Sequence, residues 1–174
     1  LAQLGFGYDK NGNIQSFDED GDLTGGTKIN EAVFFTFSRL LVKDEIKKGS
    51  FSLTLGLKNT FGSPHAEKAT ITDKDSVSSY KVNSPVGEYG ILYAQNSFGP
   101  PIASDRLDGE GYAKCGLIFY QAGIMVLTAS IFMSSSAGLL DNSCLMTAGD
   151  TIQALMTGSN VDATATAVRR RIQN

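Results

Sequence analysis

Hydrophobic positions fall into two different patterns along this chain. Over residues 50–57 they alternate, with Phe51, Leu53, Leu55 and Leu57 on one face and Ser50, Ser52, Thr54 and Gly56 on the other. A period of two predicts a half-buried strand. From Cys115 to Met133 the pattern is a continuous uncharged run rich in Ile, Val, Phe and Tyr. Its length approaches the roughly 20 residues of a membrane-spanning helix. Gln121, Ala122 and Gly123 interrupt it at the centre, and its β-branched and aromatic content favours strands. The run therefore predicts two buried strands, about residues 112–120 and 124–132, joined by a tight turn.

The remaining segments fill out a β-rich chain. Residues 33–42, carrying Val33, Phe34, Phe35, Phe37, Leu40, Leu41 and Val42, predict another strand. Residues 43–49 form a charged link long enough for one helical turn, and residues 59–66 a loop punctuated by Gly62, Ser63 and Pro64. Short strands are expected at 69–73 and 88–93, with a further one at 80–82. Gly99, Pro100, Pro101, Asp108, Gly109 and Gly111 mark residues 95–111 as an exposed excursion. In the turn-rich stretch 1–31, Asn11 and Gly12 between apolar flanks predict a hairpin turn of type I′, with positive φ at both.

Beyond Phe132 the strand vocabulary stops. Residues 134–138 read as a flexible link. Asp150 can cap a short helix through Met156, and Asn160 or Asp162 a second through Ile172. Arg169, Arg170 and Arg171 would then lie near a helix C-terminus, where cations are favoured. The expected fold is mainly β, an antiparallel sandwich or barrel-like sheet with short C-terminal helices. It divides into an N-terminal arm (1–31), a β domain (32–133) and a linker with a helical arm (134–174).

Composition narrows the function classes. A chain of 174 residues fits one domain and can bury a core without metal or disulfide staples. Its 19 glycines and lack of tryptophan suit an architecture of many tight turns. A formal charge of −3 argues against nucleic-acid binding; Lys47 with Lys48 and the three terminal arginines are the basic clusters, each read as a solvated face. The chain opens at Leu1 without the pattern of a signal peptide and reads as part of a longer or processed polypeptide. Cys115 and Cys144 lack metal-ligand spacing and are expected as buried free thiols of a reducing compartment.

Candidate chemistry is sparse. His65 follows Pro64 in a polar loop, and no nucleophile-elbow, phosphate-loop or zinc-protease motif accompanies it. Asp18, Asp20 and Asp22 have the alternate spacing of a calcium loop, but Leu23 and Ile29 stand where an EF-hand needs glycine and glutamate. Carboxylates pair at Asp18 and Asp20, Asp73 and Asp75, and Asp108 and Glu110, all in turn-like segments without an aromatic platform. The expectation is a non-enzymatic protein with no catalytic, cofactor-binding or metal-binding residues and no cofactor.

Three segments, taken in order, carry a resemblance: residues 43–51, 83–93 and 116–124, the last including Tyr120, Gln121 and Gly123. They look like a module of large virion structural proteins from contractile-tailed phages of the marine, T-even-like type, over roughly residues 32–133. The resemblance implies a structural component of a phage particle, tail or baseplate first and capsid second. It implies localisation in the virion after assembly in the host cytoplasm, with other virion structural proteins and copies of the chain itself as partners. Nucleic acid, membrane and a small-molecule substrate are not expected as partners. Two competing classes are a receptor-facing fibre or adhesin module contacting its host through the 95–111 loop, and a hydrolase built on Asp108 and Glu110. A capsid-associated decoration protein is a variant of the first reading.

Overall fold

The computed structural model describes residues 2–37, 45–57, 67–99, 101–133, 138–141 and 172–173. Among them the chain is mainly β and antiparallel, with two single-turn helices and two short 3-10 segments. The strands are β1 (Phe17–Asp18), β2 (Lys28–Ile29), β3 (Ala32–Thr36), β4 (Ser52–Gly56), β5 (Lys68–Thr72), β6 (Tyr89–Phe98), β7 (Ala113–Phe119), β8 (Ile124–Thr128) and β9 (Ile172–Gln173). Helix α1 spans Ala2–Phe6 and α2 spans Ser76–Ser79. By contact density the chain forms two compact units interleaved in sequence: residues 1–51, 72–93 and 114–128, and residues 52–71, 94–113 and 129–174.

In the first unit, β3, β8, β7 and the first half of β6 are hydrogen-bonded neighbours in that order. The uncharged run folds as a hairpin: β7 and β8 pair with Phe119 opposite Ile124 and Gly116 opposite Leu127. Its second strand is shorter than its hydrophobicity predicts, because residues Ala129–Phe132 turn into a 3-10 segment whose Ile131 and Phe132 are buried. β3 adds to the far side of β8, with Ala32 opposite Thr128 and Thr36 opposite Ile124. The close pairing of β7 and β8 requires glycine at 116, where a methyl group would run into the Val126 carbonyl oxygen.

The core of this unit is an apolar cluster of Phe6, Phe17, Ile29, Tyr89, Ile91, Leu117, Phe119 and Val126. Phe6 meets Phe17 and Tyr89 edge to face at 5.6 and 5.4 Å between ring centroids. Three of the eight residues come from the stretch read as an N-terminal arm, which is thus packed into the β structure. The small β1–β2 sheet carries two of them, with Phe17 opposite Ile29.

The hairpin at Asn11 and Gly12 forms, by a different turn. Gly12 has φ +84° and Asn11 does not have a positive φ, so the type I′ expectation is corrected. Asp9 accounts for the difference: its Oδ1 accepts the N–H groups of Asn11 and Asn13, both at 2.8 Å, while Gly12 N–H donates to the Asp9 carbonyl at 3.1 Å. This leaves one left-handed position, which glycine fills. The second unit repeats the arrangement at Asp108, whose Oδ1 accepts from Glu110 and Tyr112 at 2.9 and 2.8 Å, with Gly111 also at φ +84°.

In the second unit, the other half of β6 is followed by β5, β4 and β9. The alternation in β4 holds from Ser52 to Leu55, with Leu53 and Leu55 buried, Ser52 exposed and Thr54 half-buried; it ends at Gly56, which is buried along with Leu57. β6 runs to Phe98, so the excursion expected from residue 95 starts as strand, and Ile102 beyond it is buried. Asn96 fixes that return, its amide exchanging two hydrogen bonds with the Ile102 backbone at 2.9 and 3.3 Å. The segment at 80–82 makes a single bridge, Lys81 with Tyr89, rather than a strand. The helix beginning at Asp150 and most of the one ending at Ile172 lie outside the described residues; Ile172 itself is in β9, opposite Leu55 of β4.

Candidate functional site

The three segments that carry the resemblance converge in the first unit. Ile46 N–H donates to the Tyr120 carbonyl at 3.2 Å, and Tyr120 N–H donates to the Glu88 carbonyl at 3.2 Å. Lys48 completes the meeting point. Its ammonium lies 2.5 Å from a Glu88 carboxylate oxygen and 3.9 Å from Glu45. The same nitrogen sits 4.9 Å from the ring centre of Tyr80 and 5.5 Å from that of Tyr120. The hydrogen bond that Lys48 donates to Glu88 holds its pKa above the ordinary value. Lys48, read from sequence as part of a solvated basic face, is thus held between two rings and two acids.

Beside it lies Asp73, only 1% exposed. Its Oδ2 accepts the Gly49 N–H at 2.7 Å and the Tyr120 hydroxyl at 2.9 Å, and its Oδ1 accepts the Phe51 N–H at 2.9 Å. Burial pushes the Tyr120 phenol well above the usual tyrosine range, so it stays a donor at any ordinary pH. Sequence reading placed Asp73 beside Asp75 as a carboxylate pair, but the two do different things. Asp75 is a surface partner of Lys74 at 3.1 Å, whereas Asp73 ties the 46–51 turn to the end of β7.

The acidic loop between β1 and β2 is the second candidate. Oxygens of Asp18, Asp20 and Asp22 all lie within 4.8 Å of one another, close enough to share a cation. Each also accepts a backbone N–H two residues on, from Asp20, Asp22 and Thr24 respectively. Asp18 is fully buried and its other oxygen receives the Lys28 ammonium. The loop thus carries a built-in cation at its most buried carboxylate. Glu19, between Asp18 and Asp20, is pushed up to about 7 by burial, with Lys114 opposing the shift and the two aspartates adding to it.

Two hollows flank these features in the first unit. One, of about 230 Å³, is lined by Asp20, Asp75, Ser79, Lys81, Tyr93 and Lys114. The other, of about 240 Å³, is almost entirely apolar and lies among Gly5, Phe17, Phe34, Val86, Phe119, Ile124 and Val126. Of the remaining sequence candidates, Asp108 holds the backbone of its own turn, Cys115 is buried against the Leu92 carbonyl, and His65 and Cys144 lie outside the described residues. Among the described residues no helix is long and apolar enough to cross a membrane.

The chain matches no family model, no curated protein and no solved structure.

Proposed function

We propose that this chain is a non-enzymatic structural component of a tailed-phage particle, in the tail or baseplate, that assembles through contacts of its β fold. One observation carries the reading. The three segments resembling virion proteins meet at a junction whose polar groups bind one another and the backbone: Lys48 to Glu88, Asp73 to Gly49, Phe51 and Tyr120. Such a junction stiffens a scaffold, and its carboxylate is already satisfied three times over.

Mass spectrometry of purified particles tests the proposal. A few to a few tens of copies per particle is the expected result. Hundreds of copies would move the chain to the capsid shell, and its absence from particles would overturn the proposal.

A further inference from the structure

Among the described residues β3 ends the strand order of its sheet, and its outer edge can be read residue by residue. Phe37 N–H donates to the Gly123 carbonyl at 2.9 Å, and the register with β8 runs without a bulge from Ala32 to Thr36. Main-chain groups alternate in direction along a strand. Those of Val33 and Phe35 therefore face β8, and those of Ala32, Phe34 and Thr36 face outward. Natural edges are ordinarily guarded by charge, proline or a bulge. Residues 32–37 contain no charged residue and no proline, and the Phe34 and Phe37 side chains are each 37% exposed.

We propose that this edge pairs with the same edge of a second copy, antiparallel about a two-fold axis at Phe34, so that one sheet runs through both protomers. The inference rests on the reading of the chain as an assembling component. Of the available registers, the one centred on Phe34 keeps all five β3 residues paired: Phe34 with Phe34, Ala32 with Thr36, Val33 with Phe35. Charge permits it. Glu31 falls opposite the uncharged Phe37, and the two copies of Glu31 lie six residues apart along the pair, about 20 Å. Shape favours it as well. Ala32, Phe34 and Thr36 share the face that bears Phe17 and the apolar hollow of about 240 Å³, and paired residues point to the same side of a sheet, so the partner's Phe34 ring would extend that apolar face beyond the Phe34 that lines the hollow. A second copy is the occupant whose polarity and register match this edge by symmetry.

Amide hydrogen exchange on the whole chain, read by NMR beside sedimentation from 1 to 500 µM, tests this directly. The expected result is a monomer–dimer equilibrium in which the amides of Ala32, Phe34 and Thr36 gain at least tenfold protection with concentration. Those of Val33, Phe35 and Phe37 stay protected throughout. Thr36→Pro removes an outward N–H that β8 does not use, so it should abolish the dimer and leave the circular dichroism unchanged. A monomer at every concentration overturns the proposal. A dimer whose three outward amides stay fast-exchanging, or one that survives Thr36→Pro, overturns it too; such a chain associates through another surface and leaves the particle reading standing, to be decided by particle composition.

Discussion

Removing the Asp73 carboxylate should cost this protein more than any other single loss of charge described above. The group is 1% exposed and accepts hydrogen bonds from Gly49 N–H, Phe51 N–H and the Tyr120 hydroxyl. A hydrogen bond to a charged group contributes about 1.5–3 kcal/mol, and a buried donor left alone forfeits its desolvation. The three donors do not lose equally. Tyr120 is buried, Phe51 half-buried and Gly49 exposed, so water restores part of the last two. Asp73→Ala should therefore cost about 3–4 kcal/mol. That is a large share of the ~5–15 kcal/mol by which a domain is stable. Asp73→Asn turns an amide donor toward donors and should cost about 2 kcal/mol or more, whereas Tyr120→Phe removes one bond and should cost about 1 kcal/mol. Asp75→Ala, the neighbouring surface partner of Lys74, should cost less than about 0.5 kcal/mol. Urea unfolding followed by circular dichroism measures all four, with the slope checked for constancy. If Asp73→Ala lost no more than Asp75→Ala, the carboxylate would not be holding the 46–51 turn, and the junction would have to be held by packing alone.

Gly116→Ala places a methyl against the Val126 carbonyl, backbone that cannot step aside without parting β7 from β8; expect destabilisation of roughly 3 kcal/mol or loss of soluble protein, where Gly109→Ala in open space changes little. Glu19 is held near 7 when folded, against an ordinary value of 4.5, so the folded state keeps a proton that the unfolded chain releases between those values. Its contribution therefore worsens as pH rises from about 4.5 to 7. Glu19→Gln should melt above the parent at pH 8, with the gap narrowing toward pH 5; a gap independent of pH would sink the assignment. Burial raises the Cys115 thiol far above its usual range, so in a Cys144→Ser background it should react with a thiol reagent only after unfolding.

The strands whose apolar residues follow a simple period were legible before the structure, and those packed irregularly were not. β4 announces itself through Leu53, Leu55 and Leu57, and the β7–β8 hairpin through its uncharged length and the break at Gln121 to Gly123. Phe6, Phe17 and Ile29 have no common period, so their burial in the first unit's core came from tertiary packing that no local pattern records. The junction was half visible. Its segments stood out by resemblance, but nothing near residue 73 in sequence signals that its carboxylate meets donors 22, 24 and 47 residues away. Lys48 misled for the same reason: beside Lys47 it reads as a charge pair in water, and only the approach of Glu88 and Tyr120 makes it otherwise.

The pairing of β3 with β8 also has a consequence for how the chain is made. Ala32 meets Thr128 and Thr36 meets Ile124, so the first strand of that pair leaves the ribosome about ninety residues before its mate. At roughly 5–20 residues per second, Val33, Phe34 and Phe35 wait on the order of 5–20 s with no β8 to bind. During that interval the nascent chain offers an aromatic, uncharged strand to whatever is nearby, including other nascent copies on the same message. Slowed translation should then lower the soluble yield, and a holding chaperone that engages residues 32–37 should restore it.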